Sequence, residues 1–514
     1  MGINQKIQTP FQLPFFAVLI CFKWLFVILY QYPLEDMWHQ KTLAINFANG
    51  YGVNYIDASV NDLSLWTTET LFKWPPLTAI LTGLLTNIIR NVDWAVHILD
   101  CVAILILFSA VRSIIILLQL SVKQQWYIWL LFLFNPLLTD LFSTSDLLSL
   151  SFWMCSFYLA FRFLLSNKPK NGLLIFMILV GFLPAAFRYQ YYTLIFILPV
   201  CFLLFGVQLK LKRLLYCGMV WATGMLFLLI IQIIVLRSFT GGGIPVTDIV
   251  EFSPNNLTRI SPFFLYSFFP AYLIINTISG LLSIDIVLLY QIAGMLSLII
   301  FCFYLIRIKK QRIQKATDYF FSTLTLVSVF SVFMMLCILS LYYRNQMNGS
   351  SSFTYVQEPR YWGVVFVLLP ILFISDQSAL SKKMIRWLLF IFIFCNAIFS
   401  IYRVQKTNTL INNVKSQTKK EIIFVIEQTI ARENRPVIIT YQDKDFTMYN
   451  FTKPYATVHY DSIMKQSKIN TTKPIWFFLI TGTTPFIKEE EFINNNQLIF
   501  VDEINYQYRI YRNR

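Results

Sequence analysis

Two adjacent carboxylates, Glu35 and Asp36, open the segment EDMWHQKTLAINFANGYG, which follows the first hydrophobic run of the chain. Asp36 is followed within sixteen residues by three small residues and one asparagine: Ala44, Asn46, Gly50 and Gly52. A second short run, WPPLTAILTGLL, begins about twenty residues further on. A carboxylate beside a weakly nucleophilic hydroxyl can take up its proton as a general base. This spacing makes the segment the first candidate for a site of chemistry.

The composition indicates an integral membrane protein. Apolar residues make up 57% of the chain and charged residues only 13%, which is far from the balance in soluble domains. Apolar runs of about 18 residues or more recur, and each can cross a hydrocarbon core about 30 Å thick as a helix. We predict an all-α polytopic membrane protein with about eleven spanning helices and additional juxtamembrane helices. The first helix, near residues 14–31, contains Lys23 and lacks a cleavage site, as expected of a retained anchor.

The net charge of +16 reflects membrane topology and not nucleic-acid binding, because the basic residues cluster in short loops between apolar runs. Under the positive-inside rule these loops are cytoplasmic. They contain Lys123, Lys168, Lys170, Lys210, Lys212, Arg213, Arg307, Lys309, Lys310, Arg312, Lys315, Lys382, Lys383 and Arg386. Successive loops of a multipass protein alternate between the two sides of the membrane, and here every second loop is basic. This alternation, termed the charge parity, puts the N-terminus inside, and the loop 32–96 and the C-terminal tail outside. It also makes 76–90 a juxtamembrane helix and 263–282 a non-spanning or re-entrant segment.

The apolar character falls after residue 402, which divides the chain into a transmembrane domain, 1–402, and a soluble extracytoplasmic α/β domain, 403–514. The run KKEIIFVIEQTIAREN predicts an amphipathic helix, and RPVIITY, KPIWFFLIT and QLIFVDEINYQYRIYR predict strands. Because 403–514 contains no glycine-rich phosphate loop, a binding or structural role is favoured for it. The eight cysteines contain no C-x-x-C pair and there are only three histidines, so we predict no metal site built from protein ligands.

The order of these motifs resembles the GT-C superfamily of integral-membrane glycosyltransferases, in particular bacterial relatives of protein O-mannosyltransferases and aminoarabinose transferases. The spacing from Asp36 to Gly52, followed by Pro75-Pro76-Leu77, is similar to the first external loop of that superfamily. Three later segments fit the same order: FNPLLTDLFSTSDLLSLSFW, GFLPAAFRYQYYTLIFILP and EPRYWGVVFVLLPILFI. The resemblance covers most of residues 10–400. It implies a GT-C-like fold and the transfer of a sugar from a polyprenyl-phosphate carrier to an acceptor at the outer face of the membrane.

By this resemblance Asp36 is the general base that takes the proton of the acceptor hydroxyl. Glu35 is a secondary catalytic candidate, but adjacent side chains on a helix point about 100° apart, so both are not expected to face one substrate. Asp146 is the second external acid, which would orient the acceptor or assist proton transfer. Both positions have a plainer interpretation: Asp36 as a solvated residue at a helix start, and Asp146 as a helix cap in FSTSD.

The leaving polyprenyl phosphate needs cations as negative charge develops on it, and the planar arginine fork suits phosphate. Arg188 and Arg360 stand at family-like positions, and Arg259 lies in the long outer loop between 237 and 262. His39, one turn after Asp36, would contact the acceptor or the leaving phosphate. The alternative for the arginines is interfacial anchoring with their stems along apolar surface, and for His39 a packing role beside Trp38.

Two other classes of protein remain open. A transporter or flippase of lipid-linked saccharides would need polar residues lining a path through the membrane, for which Lys23, Arg112 and Arg162 are partial candidates. A non-catalytic envelope assembly protein is the third reading. The expected partners are a polyprenyl-phosphate-linked donor, a lipid, glycan or protein acceptor and membrane lipids, with no nucleic acid. No cofactor is required by the sequence, which leaves open the use of a divalent cation. We expect a location in the bacterial inner membrane.

The predicted topology can be tested at Asn91, between the juxtamembrane helix and the next spanning helix. With Asn91→Cys, we expect a membrane-impermeant thiol reagent to label intact cells or right-side-out vesicles, because the charge parity puts this position outside. Labelling only after the membrane is permeabilised would show that 76–90 crosses the membrane and that the parity is wrong.

Overall fold

The computed structural model describes part of the chain in detail. The described residues are 12–29, 35–59, 62–63, 65–69, 75–135, 138, 145–166, 171–236, 252–254, 257, 260–310, 316–341, 359–376, 383–414, 428, 437–440, 454–459, 475–480, 487–504 and 508–513. The backbone divides into two compact units. The helical unit comprises Met1–Tyr30 and Asp100–Val404, and the sheet unit comprises Gln31–Leu99 and Gln405–Arg514.

Helices dominate the described residues. They are α1 (Gln12–Leu29), α2 (Glu35–Ala48), α3 (Leu77–Ile89), α4 (Val92–Leu117), α5 (Val122–Phe134), α6 (Ser145–Leu165), α7 (Asn171–Phe187), α8 (Tyr191–Leu194), α9 (Ile197–Gln208), α10 (Lys212–Leu236), α11 (Phe263–Tyr266), α12 (Ala271–Leu282), α13 (Ile286–Lys310), α14 (Ala316–Leu341), α15 (Gly363–Ser375), α16 (Lys383–Val414) and α17 (Ile487–Asn495). A short 3₁₀ helix, Pro359–Trp362, precedes α15. The strands are β1 (Tyr55–Ala58), β2 (Trp66–Glu69), β3 (Val437–Thr440), β4 (Ala456–His459), β5 (Ile475–Ile480), β6 (Ile499–Ile504) and β7 (Tyr508–Arg512).

The prediction of a polytopic membrane protein is confirmed by the length and composition of these helices. Seven helices in the described ranges are long and apolar enough to cross a membrane: Val92–Leu117, Ser145–Leu165, Tyr191–Gln208, Lys212–Leu236, Ile286–Arg307, Ala316–Leu341 and Lys383–Lys406. Four shorter helices are also apolar: Pro14–Leu29, Leu77–Ile89, Gly172–Phe187 and Arg360–Ser375. Helices suit this environment because each satisfies its own backbone hydrogen bonds where water is absent.

The run 263–282 does not form one continuous helix. It folds as the single turn α11 and the twelve-residue α12, and Pro270 immediately precedes α12. A helix of that length extends about 18 Å, well short of a hydrocarbon core of about 30 Å. The thirteen residues of α3 extend about 20 Å by the same rise. Helices α5 and α15 are as short as α3, and the non-spanning roles of 76–90 and 263–282 stay predictions.

Polar contacts gather several basic loops at one end of the helical unit, here termed the basic end. Gln124, near the start of α5, donates to the carbonyl of the penultimate residue of α15, with an N–O distance of 2.8 Å. Beyond α15, Asp376 pairs with Arg307 of α13 at 3.3 Å. Tyr319, near the start of α14, donates to the side-chain oxygen of Gln208 at the end of α9 at 3.0 Å. Loops that the positive-inside rule groups together thus lie together.

A seven-stranded sheet with the order β2-β1-β4-β3-β5-β7-β6 forms the sheet unit. The strands predicted in the C-terminal segment are present as β3, β5, β6 and β7, whereas the predicted helix at 419–434 lies almost entirely outside the described residues. The first loop adds β1 and β2, and β1 pairs in parallel with β4 at Asp57 and Thr457. Because β4 would otherwise leave an unpaired edge, the loop strands complete the sheet, and the first loop folds with 405–514 as one unit.

The helix α2 packs closely against α3 within the sheet unit. A Cβ atom placed on Gly83 of α3 would lie 2.7 Å from the carbonyl oxygen of Ala44 and 2.8 Å from Cδ1 of Phe47. Ala44 itself is fully buried. The two helices therefore approach through positions with little or no side chain.

This close approach predicts opposite effects for the same substitution at two helical glycines. Gly83→Ala should destabilise the protein by about 1–3 kcal/mol, because backbone atoms must move to admit the methyl group. Gly172→Ala, in the first turn of α7, meets nothing within 4 Å and should be neutral or stabilising by up to about 1 kcal/mol. Thermal unfolding of the two variants in the same detergent measures both effects. Equal unfolding temperatures would contradict the packing described for α2 and α3.

Candidate functional site

Asp146 and Arg188 form a buried ion pair in the helical unit. Nε of Arg188 lies 3.1 Å from Oδ1 of Asp146, and the two side chains are 7% and 1% exposed. Gln190 donates to the same carboxylate oxygen at 3.0 Å, and Arg188 donates to the hydroxyl of Ser145 at 3.4 Å. Each of the two buried ions thus has an oppositely charged partner and a further hydrogen bond, as buried ions require.

The contact between the start of α6 and the end of α7 brings these groups together. Asp146 is the second residue of α6, and Arg188 follows the last residue of α7. The hydroxyl of Ser149 donates to the carbonyl of Ser145 at 2.8 Å and to that of Pro184 at 3.2 Å. This serine therefore holds the first turn of α6 against the last turn of α7. The helix dipole also stabilises a carboxylate in the first turn of a helix, because the N-terminal end of the dipole is positive.

The ion pair lies at the end of the helical unit opposite the basic end. Phe161, near the end of α6, contacts Phe321, near the start of α14, with ring centroids 5.6 Å apart. The start of α14 belongs to the basic end, so the start of α6, with Asp146, lies at the other. Thr193 of α8 donates to the sulfur of Met335, near the far end of α14, at 2.9 Å. Both contacts place the pair on the side predicted to face outward.

Arg360 lies at this same end, in the 3₁₀ helix before α15. Trp362, fully buried, stacks on Phe263 with centroids 5.0 Å apart and contacts Phe333 in the second half of α14. The guanidinium of Arg360 lies 5.1 Å from the ring centroid of Tyr361 and donates to its hydroxyl at 3.3 Å. Arg360 is half-buried, so its guanidinium is partly shielded from water but a ligand can still reach it.

The predicted base lies in the sheet unit. Glu35 and Asp36 are the first two residues of α2, and their side chains lie outside the part of the chain that the structure describes. His39 follows one turn later and is buried. Its Nδ1 forms a hydrogen bond with the hydroxyl of Tyr55 in β1, and the two rings meet edge to face. His39 therefore ties α2 to the sheet, whatever it contacts in addition.

The residues spaced after Asp36 have structural roles that the sequence did not reveal. Asn46 is buried and donates to the carbonyl of Asn54 at 2.8 Å, which holds the turn after α2. Gly50 and Gly52 have φ angles of +86° and +71°, a region that other residues enter at a cost. With the close packing at Ala44, the motif fixes where α2 ends and how the chain turns into β1.

The C-terminal segment also contacts α2, through Tyr455. This tyrosine is buried just before β4, and its hydroxyl forms a hydrogen bond with Thr42 of α2. Burial raises the pKa of the Tyr455 hydroxyl, an effect that the bond to Thr42 partly offsets. The hydroxyl therefore stays neutral. No sequence pattern connects residues so far apart along the chain, so this contact could not be predicted.

Two further predictions concern ligands. Arg259 lies outside the described residues. In the part of the chain that the structure describes, no three His, Cys, Asp or Glu side chains cluster to hold a metal ion. The predicted roles of Asp36, Glu35, Asp146, His39, Arg188, Arg259 and Arg360 stay predictions.

The overall fold is similar to that of ArnT, an aminoarabinose transferase of the GT-C superfamily. The crystal structure of ArnT from Cupriavidus metallidurans bound to undecaprenyl phosphate matches with a TM-score of 0.55 and 11% identity, over 99% of this chain and 99% of that chain. The apo structure of the same protein matches with a TM-score of 0.56 and 12% identity, over 98% of each chain. No protein-family model and no curated protein sequence matches. The GT-C fold expected from the motif order is confirmed.

The buried ion pair predicts a large loss of stability when one partner is removed. Asp146→Asn leaves the guanidinium of Arg188 without its carboxylate, which should cost about 3–5 kcal/mol. The double variant Asp146→Asn/Arg188→Gln removes both charges and should recover part of this loss. Thermal unfolding in detergent, arranged as a double-mutant cycle, measures the coupling.

A matched control is the pair between Lys41 and Asp93, with Nζ 2.5 Å from Oδ1, in which the Asp93 side chain is 54% exposed. Asp93→Asn should cost no more than about 1 kcal/mol, because water already screens this pair. Equal losses for Asp146→Asn and Asp93→Asn would mean that the buried pair gains nothing from its burial.

Proposed function

We propose that this chain is a membrane glycosyltransferase that moves a sugar from a polyprenyl-phosphate-linked donor to a glycolipid, polysaccharide or protein acceptor at the outer face of the membrane. The observation that carries the proposal is the match of nearly the whole chain to ArnT, a protein that binds undecaprenyl phosphate. The order of acidic and arginine motifs along the sequence supports the same conclusion independently.

The reaction forms one bond and breaks one. The acceptor hydroxyl oxygen attacks the anomeric carbon of the sugar, the bond from that carbon to the phosphate oxygen breaks, and polyprenyl phosphate leaves with the electron pair. Asp36 takes the hydroxyl proton as the new bond forms, which makes a weak nucleophile reactive. Asp36 lies in the first turn of α2.

The leaving phosphate gains negative charge in the transition state and needs fixed cations. Arg360 suits this role because it is half-buried and its fork is held against Tyr361. Arg188 is the second phosphate candidate, and its buried carboxylate partner fixes its position. The ion pair favours a positioning role for Asp146, acting through Arg188, over the direct proton transfer that we considered from the sequence.

The contacts of the three intramembrane cations give less support to a transporter or flippase. The ammonium of Lys23 donates to the carbonyl of Leu133, near the end of α5, at 3.1 Å. The guanidinium of Arg112 stacks on the ring of Phe16, and that of Arg162 donates to the hydroxyl of Tyr158, one turn earlier in α6. The three cations thus contact three different groups in the helical unit, whereas a transport path would need polar groups that follow one another across the bundle.

The proposal is tested with the full-length protein in detergent or proteoliposomes and a panel of polyprenyl-phosphate sugars. The wild type should transfer a sugar from at least one donor. Asp36→Asn should lower kcat by about a hundredfold or more, the contribution typical of a general base, with little change in donor binding. Glu35→Gln is the matched control and should keep most of the activity, because its side chain points about 100° away on the helix.

Three outcomes separate the parts of this proposal. No transfer from any donor by a folded wild-type protein would contradict the glycosyltransferase assignment. Equal rates for Asp36→Asn and the wild type would remove Asp36 as the base and leave the activity standing. A larger loss in Glu35→Gln than in Asp36→Asn would move the role to Glu35. Unfolding temperatures of both variants show whether a lost activity reflects lost folding.

A further inference from the structure

An open cavity of about 450 Å³ lies between the first two turns of α5 and the first two turns of α16. Its lining combines three cations with three aromatic rings: Lys123, Tyr127, Lys383, Arg386, Trp387 and Phe390. The start of α5 also carries Gln124, so the cavity belongs to the basic end of the helical unit. It is therefore remote from Asp146 and Arg188, which lie at the other end, and it has no part in the proposed sugar transfer.

The six residues that line the cavity carry three positive charges and include no carboxylate. Among the described residues, Lys123, Lys383 and Arg386 form no ion pair. Asp376 lies at the same end of the unit but is engaged by Arg307 at 3.3 Å. Lys383 is the first residue of α16, and Lys123 is the second of α5, so the positive ends of two helix dipoles add to the three side-chain charges. An anion is the ligand that this arrangement favours.

The aromatic part of the lining continues into a lipid-facing surface. Trp387 and Phe390 are each 58% exposed, and Phe394, one turn further along α16, is 60% exposed. Exposed apolar side chains on a spanning helix lie against acyl chains, and tryptophan is enriched where the chains meet the headgroups. The cavity therefore offers cations for an anionic group and, directly beside them, an apolar track for hydrocarbon attached to it.

We propose that this cavity binds the phosphate headgroup of an anionic phospholipid from the cytoplasmic leaflet, with the acyl chains along the exposed face of α16. The phosphate ester anion lies among Lys123, Lys383 and Arg386. The volume falls within the range of about 300–1,000 Å³ that is usual for small-molecule sites, and basic pockets between membrane helices on the cytoplasmic side suit such headgroups. Inorganic phosphate carries the same kind of negative charge, but it has no hydrocarbon chain to contact the aromatic surface of α16.

Native mass spectrometry of the full-length protein in detergent tests the proposal by titration with three probes: phosphatidylglycerol, phosphatidylcholine with the same acyl chains, and inorganic phosphate. Phosphatidylglycerol should bind at least tenfold more tightly than either of the others. The variant Lys123→Gln/Lys383→Gln should bind phosphatidylglycerol about twenty-five-fold more weakly, since each cation removed costs about fivefold. The matched control, Lys210→Gln/Lys212→Gln, removes two exposed lysines near the end of α9 and should change binding less than twofold.

Each other result overturns the proposal. Equal weakening in both double variants would show general attraction to a basic surface and no site at the cavity. Equal affinity for phosphatidylglycerol and phosphatidylcholine would remove the role of the anion. Phosphate binding as tight as phosphatidylglycerol binding would assign the cavity to a free anion and not to a lipid. Unfolding temperatures confirm that both double variants are folded, and none of these readouts depends on sugar transfer.

Discussion

The parallel pairing of β1 with β4 is the interaction on which the arrangement of the sheet unit depends. It joins a strand from the first loop to a strand from the C-terminal segment, so that two pieces of sequence separated by the helical unit build one sheet. The buried side chains of that sheet come from both pieces, with Ile56 from the loop and Val437, Ala456 and Ile475 from the C-terminal segment. Beside this pairing α2 contacts both pieces of the sequence, through the bond of His39 with Tyr55 in β1 and the bond of Thr42 with Tyr455 before β4.

The ion pair between Asp146 and Arg188 illustrates a different constraint. Removing two charges from water costs several kcal/mol for each ion, and a buried pair recovers this only with good geometry and further hydrogen bonds. Gln190 and Ser145 supply those bonds. A hydrophobic pair of similar volume often holds two helices together at lower cost, so the stability of the contact between α6 and α7 does not by itself account for the two charges. A guanidinium held in this way suits the phosphate-binding role that we propose for Arg188.

Much of the fold could be predicted because local chemistry determines it. Apolar runs long enough to cross a membrane gave the spanning helices, and the charge of short loops gave their grouping, which the contacts of Gln124, Arg307 and Tyr319 reproduce. Counting the same loops made 263–282 a non-spanning or re-entrant segment, but the position of its break at Pro270 was not predicted. The strand pairing between the loop and the C-terminal segment was missed because β1 and β2 are four residues each, too short for an alternating pattern to stand out.

The sequence predicted which residues belong to the candidate site better than it predicted how they are arranged. Asp146 and Arg188 were both singled out, but as separate groups, since no sequence rule places the start of one helix against the end of the next in atomic contact. The residues spaced after Asp36 were interpreted through a family motif, whereas Ala44, Asn46, Gly50 and Gly52 shape the end of α2. Close packing and positive φ angles explain why these four residue types occur. The spacing of residues in a sequence does not show whether they are needed for such structural reasons or for contact with a substrate.

The pairing of β1 with β4 also has a consequence for biogenesis. The two paired residues, Asp57 and Thr457, lie near opposite ends of the chain, and synthesis proceeds at about 5–20 residues per second. The first loop is therefore complete on the order of twenty to eighty seconds before its partner strand exists. During that interval every spanning helix enters the membrane while one edge of the β1–β2 hairpin stays unpaired. Assembly of the sheet unit is then a late step of folding, and α2 reaches its final surroundings only when the C-terminal strands have been synthesised.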